Sequence, residues 1–235
     1  MNMILLQPED FIDTETVRLT DYRFHHIRDV QKKREGSAVN AGLFRGMTGA
    51  GEISDMGDDY CVIKVSLNHN PPAAPECKVI LALPRPKMFR RVLFTLTTLG
   101  IKEIFIINSW RVEKSYWQSP YLEEASLDRT VRAALEQCGD TVPPRIVFRK
   151  LFRPFAEDEM PEIIKGTLAL AAHPGAPVLE PPGGRPLTLA IGPEGGFNEF
   201  EISMFRDKGF TVFSAGERIL RVEDAVPALL GRLVL

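Results

Sequence analysis

Leu187-Thr188-Leu189-Ala190-Ile191 runs straight into Gly192-Pro193-Glu194-Gly195-Gly196-Phe197, and Asn198 and Glu201 follow. A short, almost wholly apolar run of this kind is a strand buried on both faces, as parallel sheets require. The glycines behind it permit φ > 0 and leave main-chain N–H and C=O groups open to a ligand. Asn198 is a helix N-cap, and Glu201, three residues on, is the acidic half of a capping box. Strand, glycine loop and capped helix together hold small polar ligands through main-chain contacts, although Gly-Pro and Gly-Gly are also ordinary turn punctuation. Neither a Gly-Lys-Ser/Thr ending nor a G-x-G-x-x-G is present, so the loop indicates a ligand but not a phosphate.

Working outward, the pattern around this loop alternates strands and helices. Strands are predicted at residues 79–83, 103–107, 145–148, 168–172, 187–191 and 211–213. Helices are predicted at 87–99, 122–138, 198–208 and 223–235, with Gly100 and Gly139 as stops. Such alternation gives an α/β domain: a mostly parallel sheet with helices on both faces. Residues 174–186, rich in Pro and Gly, read as loop. Ahead of this region the proline-dense segment 71–75 reads as a linker. Before it, apolar stretches at 4–6, 39–44, 49–53 and 60–67 alternate with turn signals, which suits a small β-barrel or sandwich. One helix is expected there at 21–31, with Asp21 as its cap. The domains are therefore drawn at 1–70 and 77–235.

Composition sets the outer limits. The chain has 235 residues, 44% of them hydrophobic and 26% charged, as in an ordinary globular protein. No apolar run reaches the roughly 20 residues of a membrane-spanning helix, and no secretion signal opens the chain, so a cytoplasmic protein without membrane contact is expected. Cys61, Cys77 and Cys138 are scattered and the four histidines lie at no zinc-like spacing, so no metal is expected. The net charge is −2, but Lys78, Arg85, Lys87, Arg90, Arg91, Lys102 and Arg111 are opposed only by Glu103. That excess suits a polyanion or a solvated helix face.

A second loop follows the last strand: Ser214-Ala215-Gly216-Glu217-Arg218-Ile219-Leu220-Arg221-Val222-Glu223-Asp224-Ala225. Loops at the carboxyl ends of neighbouring strands converge on one crevice in an α/β sheet. If these two loops are neighbours, Ile219 and Leu220 could flank a flat apolar ring and Arg221 could face a negative partner. The alternative is an ordinary loop with a buried Ile-Leu pair.

The two loops, in this order, resemble the C-terminal signature of the RsmE family, SPOUT-class methyltransferases that modify N3 of a uridine in 16S ribosomal RNA. Shorter likenesses run along the chain in the same order: His25-His26-Ile27-Arg28, Leu81-Ala82-Leu83-Pro84 with Lys87, Leu99-Gly100, Glu136-Gln137-Cys138-Gly139 and Ala172-His173-Pro174. The resemblance implies a trefoil-knotted SPOUT domain behind a PUA-like, RNA-binding β-barrel, a homodimer, and S-adenosylmethionine as methyl donor. Carried over by position, the donor site uses Leu170, His173, Ile191, Gly192, Gly195, Gly196, Ala215, Gly216, Ile219, Leu220 and Arg221. The RNA-facing residues implied are Arg23, Arg28, Lys32, Lys33 and Arg34 of the barrel, with Arg85, Lys87, Arg90 and Arg91.

Methyl transfer of this kind is largely catalysis by positioning, with reacting atoms about 3–3.5 Å apart. Uridine N3 carries a proton near neutrality, so a base or a cation that favours the anion should help. Arg221 or a neighbouring cation could serve as the latter. Glu194 is a candidate base or, equally, a loop cap. The chain departs from the family at Phe94, Thr95 and Thr98 in the first helix, at Asp29, at Asp140 after the E-Q-C-G stretch, and at Asp224 where a threonine is usual. The leading expectation is a ribosomal RNA uridine-N3 methyltransferase. A SPOUT enzyme for another RNA position, a non-catalytic RNA- or cofactor-binding relative and a nucleotide-binding α/β protein are the alternatives.

Overall fold

The computed structural model describes residues 2–178 and 183–234. Met1, Leu235 and residues 179–182 of the expected 174–186 loop lie outside the described residues. The chain divides into two compact units: Met1–Ala73 with Arg132–Pro143, and Ala74–Val131 with Pro144–Leu235. The boundary falls inside the proline-dense segment. The first unit, however, also takes in residues 132–143, which the 77–235 boundary had assigned to the second.

The first unit holds β1 (Ile4–Leu6), β2 (Thr16–Leu19), β3 (Ala38–Leu43), β4 (Thr48–Met56) and β5 (Cys61–His69) in a five-stranded sheet of order β1-β3-β4-β5-β2. β1 runs parallel to β3 and the other pairs are antiparallel. Helix α1 (Tyr22–His25) starts at Asp21, whose side chain accepts from the Arg23 N–H, and a π-turn continues it over His26–Val30. Ile4, Leu6, Val17, Leu19, Phe24, Ile27, Val39, Ile53 and Ile63 fill the core. β2 is absent from the sequence expectations because its four residues carry only one alternation, Val17 and Leu19 inward and Arg18 outward. β4 is kinked at Gly49, where a Cβ would lie 1.9 Å from the Ser66 carbonyl oxygen, so only glycine fits that register shift.

Arg23 is a correction. Expected to face RNA, it is only 6% exposed. Its guanidinium donates to Asp10 at 2.6 and 2.7 Å, to Asp21 at 2.8–3.0 Å and to the Leu5 carbonyl at 2.8 Å. A buried arginine survives only when paired in this way, and its donors are then spent inside the fold.

The Glu136-Gln137-Cys138-Gly139 stretch belongs to this unit as well. Helix α3 (Glu124–Cys138) ends there, with Gly139 at φ +77. The Glu136 carbonyl accepts from the Asn2 and Met3 N–H groups at 2.9 and 3.0 Å, and its carboxylate accepts from the Tyr22 hydroxyl at 2.8 Å. Asp140, one of the positions that depart from the resembled pattern, accepts from the Val142 N–H at 2.9 Å and so shapes the turn.

The second unit carries the parallel sheet: β6 (Cys77–Ala82), β7 (Glu103–Ile107), β8 (Arg145–Arg149), β9 (Leu168–Ala172), β10 (Leu187–Ile191) and β11 (Thr211–Phe213), in the order β11-β9-β10-β6-β7-β8. β10 pairs with β9 and β6 and is buried at every position. That placement is what its unbroken run of small and apolar residues predicted. Helix α2 (Pro86–Thr98) begins with proline at its first position and stops before Gly100 at φ +78. Two short helices, α4 (Phe152–Pro154) and α5 (Met160–Ile163), flank a π-turn over Phe155–Glu159. Pro154 and Pro161 disguise this helical period in the sequence, while Phe155, Ala156 and Met160 bury its apolar face. Helices α6 (Glu199–Asp207) and α7 (Val222–Leu233) complete the unit, and α7 packs on α2. Among the described residues no helix is long and apolar enough to cross a membrane, and no group of three or more His, Cys, Asp or Glu side chains could hold a metal ion.

Burial pushes the Glu136 carboxyl above the ordinary glutamate range, against the opposing pull of Tyr22 and Arg23. A carboxyl raised by folding costs stability once the pH exceeds its unfolded value of about 4.3, and costs nothing well below it, where both states are protonated. Glu136→Gln, which keeps an acceptor for Tyr22, is therefore expected to raise the urea midpoint at about pH 7 and leave it unchanged at about pH 3. Arg23→Leu strands the Asp10 carboxylate and is expected to cost about 3–5 kcal/mol in the same measurement.

Candidate active site

The site grows from the carboxyl ends of β7, β9, β10 and β11. There the chain leaves the sheet through the loops at Asn108–Arg111, His173–Pro174, Gly192–Phe197 and Ser214–Arg221. The last three line a single cavity of about 380 Å³, and Arg111 closes part of its wall. The two loops singled out in the sequence are thus neighbours in space. His173, Ile191, Gly192, Gly195, Gly196, Ala215, Ile219 and Leu220 all face the cavity, as does Glu194.

Three expected donor-site residues do not line it. Leu170 is wholly buried within β9, two residues short of the strand's end. Gly216 stands beside the lining with φ +144, its N–H and C=O both engaged by the Ser214 hydroxyl at 3.2 and 2.7 Å. Arg221 is the N-cap of α7 and exposed, because it must leave the loop where the helix begins. The cations that do face the cavity are Arg111 and Arg218. Arg111 entered the sequence reading only as part of a basic stretch. Its signal was its position just beyond the buried strand at 103–107.

The first loop is held at both ends. Gly196 has φ +71, a conformation that glycine alone adopts without strain. A Cβ at Gly192 would lie 3.0 Å from the Phe197 nitrogen, and one at Gly195 would lie 2.8 Å from Arg111 Cδ. The Arg111 guanidinium donates to the Gly195 carbonyl. The capping box forms as read: Asn198 accepts from the Glu201 N–H at 2.8 Å, and Glu201 accepts from the Asn198 N–H at 2.9 Å. Glu201, only 2% exposed, also accepts from the Ser109 hydroxyl at 3.1 Å and the Trp110 N–H at 2.7 Å. Glu194 Oε1 accepts from the Arg85 N–H at 2.9 Å, linking this loop to the start of α2. The cap that Glu194 supplies is therefore at the start of α2.

His173 sits in the cavity wall with its main-chain N–H donating to the Phe213 carbonyl at 2.8 Å. Its Nδ1 is buried and has no protein partner. Burial lowers its affinity for a proton, and Arg206 and Arg111 lower it further, which favours the neutral ring at neutral pH. A neutral imidazole with an unpartnered nitrogen is a directional contact for a polar ligand.

Of the remaining RNA-facing candidates, Arg85, Lys87, Arg90 and Arg91 are all exposed around the first turns of α2, with Arg90 6.0 Å from the Tyr121 ring centre. In the first unit, Lys32 is exposed, whereas Arg28 is half-exposed and paired with Asp29 at 2.7 Å. Lys33 donates to the Ala38 carbonyl, and Arg34 is exposed.

Residues 71–234 match the model of the RNA methyltransferase domain family. The chain is 29% identical to the ribosomal RNA small subunit methyltransferase E of Treponema pallidum, over 97% of this chain and 88% of the relative. It is 26% identical to ribosomal RNA small subunit methyltransferase E 2 of Borreliella burgdorferi, over 86% of this chain and 84% of the relative. In fold it is similar to the ribosomal RNA small subunit methyltransferase E of Neisseria gonorrhoeae, whose crystal structure has S-adenosyl methionine bound. The TM-score is 0.72 at 20% identity, over 100% of this chain and 98% of the other.

Glu201→Ala leaves the Asn198, Ser109 and Trp110 donors without their buried acceptor. The expected loss is about 1–3 kcal/mol, read as a fall in the urea midpoint. Amide exchange is expected to accelerate at both Asn198 and Trp110, because one carboxylate serves the two loops.

Proposed function

Because the chain belongs to the RNA methyltransferase domain family, we propose that it transfers a methyl group from S-adenosylmethionine to N3 of a uridine in 16S ribosomal RNA. The observation that carries this reading is the single cavity shared by the loops at 192–197 and 214–221. Its volume of about 380 Å³ lies within the range of small-ligand pockets. Its lining suits the donor: Ile191, Ile219, Leu220 and Leu229 for an adenine ring, loop main chain for the polar edges, and the orphaned His173 Nδ1 for a polar group. The methyltransferase names of the relatives and the S-adenosyl methionine in the similar Neisseria structure support the same donor.

When bound, the sulfonium supplies an electrophilic methyl carbon for in-line displacement. The chain's task is to hold that carbon against the base and exclude water. Loss of the uridine N3 proton leaves negative charge on the ring, and Arg111 and Arg218 are the cations at the cavity that can stabilise it. In this reading Arg221 acts at the start of α7 instead. Glu194 holds Arg85 with one oxygen and keeps the other for the proton.

The same reading gives the second unit a trefoil knot and a homodimeric assembly. It makes the five-stranded first unit a PUA-like RNA-binding domain, and the whole a cytoplasmic protein acting in ribosomal RNA processing. The insertion of β10 between β9 and β6, and the packing of α7 on α2, support the knot. Exposed cations on α2, with Lys32 and Arg34 of the first unit, support RNA contact through phosphates, which fixes register without reading sequence. The target uridine turns outward to reach the cavity.

Gly195→Val places a branched side chain against the Arg111 stem and into the loop. It is expected to abolish S-adenosylmethionine binding in calorimetry while the far-ultraviolet circular dichroism stays unchanged. Donor affinity equal to that of the parent protein would remove the cavity from the reading. Mass spectrometry of 16S RNA from a deletion strain, with and without complementation, identifies the methylated position. Replacing Arg90 and Arg91 together by Glu is expected to reduce the slope of log affinity for RNA against log salt by about 1–2, with donor binding intact.

A further inference from the structure

Trp110 is 82% exposed, the highest fraction among the exposed large apolar side chains of the described residues. Its main chain is nevertheless fixed. Its N–H donates to Glu201 at 2.7 Å, the preceding Ser109 hydroxyl donates to the same carboxylate at 3.1 Å, and the Val112 N–H closes the turn on the Ser109 carbonyl at 3.0 Å. The next residue, Arg111, forms part of the cavity wall. An indole is therefore displayed to solvent on a fixed turn, one residue before the cavity wall. Around the same cavity stand the guanidinium groups of Arg111 and Arg218 and two more exposed apolar side chains, Ile219 at 81% and Leu220 at 39%.

Leaving a large aromatic surface in water gains nothing for the fold, and a rigid backbone removes the entropy cost of offering it to a partner. The charges beside it indicate which partner. Guanidinium groups and an exposed aromatic carried close together along the chain are the composition of a surface for unpaired nucleic acid, in which the aromatic takes a base face. Resting on the methyltransferase reading above, we propose that Trp110 is the stacking platform for the unpaired RNA base at the mouth of the cavity. It holds that base while the methyl group is transferred.

The test uses the full chain with Trp117→Phe, which leaves Trp110 as the sole tryptophan. The probes are a single-stranded oligoribonucleotide with one central uridine and the same strand abasic at that position. The uridine strand is expected to quench Trp110 emission at concentrations at least about tenfold lower than the abasic strand. Trp110→Ala is expected to lower kcat/KM for RNA by about tenfold to a hundredfold, the range of one lost base stack, while Trp110→Tyr recovers most of it and neither changes donor affinity in calorimetry. Equal quenching by the two strands, or an unchanged kcat/KM in Trp110→Ala, would overturn the proposal. So would a dimer that falls to monomer in sedimentation when Trp110 is replaced, since a second copy would then be the occupant. Failure of the parent protein to bind S-adenosylmethionine would overturn the methyltransferase reading, whereas base-dependent quenching would still support the platform.

Discussion

The arrangement of the site depends on one buried carboxylate. Glu201 lies one turn into α6, yet its oxygens satisfy donors from two separate chain segments, Asn198 at the head of its own helix and Ser109–Trp110 beyond β7. A carboxyl group this deeply enclosed is tolerated because its two oxygens accept from three donors. The constraint acts in both directions: the donors neutralise the cost of burial, and the carboxylate fixes where the donors lie. The Gly192–Phe197 loop is thereby set against the segment that carries Arg111, and Arg111 in turn holds the Gly195 carbonyl. Specificity of shape here comes from polar satisfaction, with apolar packing behind it in the Phe197–Phe205 ring contact at 4.8 Å.

A similar economy governs the first unit. Glu136 uses both its main-chain carbonyl and its side chain to hold the residues after Met1 and the start of α1. This stretch, one of the short family likenesses in the sequence, is a structural fastening. Asp140 and Thr141 continue it, one shaping the turn and the other bonding the Gly46 carbonyl at 2.6 Å. Where the chain departs from its family at Asp140, the substituted residue has a complete local role, and that departure leaves the cavity untouched.

Much of this was legible in the residues themselves. The strands at 103–107, 168–172, 187–191 and 211–213 fall where the apolar runs put them, most plainly 187–191, which is buried at every position. The Asn198–Glu201 box was legible because capping is a local interaction with fixed spacing. What sequence could not supply is long-range. Arg23 reads as a surface cation until Asp10 and Asp21 are seen around it. Arg111 reads as one more basic residue until β7 delivers it to the cavity. Arg221 sits in the right loop, but the start of α7 takes it out of the lining. Period alone also missed β2, too short to show one, and the turns at 152–163, where prolines mask it.

Residues 132–143 complete a unit whose other part, residues 1–73, precedes them by almost sixty residues. During synthesis the first 73 residues therefore leave the ribosome without the segment that fastens their N-terminus. At about 5–20 residues per second, they wait on the order of ten seconds for it. Over that interval the sheet of β1 to β5 lacks the acceptors for Asn2, Met3 and Tyr22. A gene fragment ending at the proline-dense segment would carry the same deficit permanently. The N-terminal portion is thus bound in time, as well as in space, to the translation of the helix that closes it.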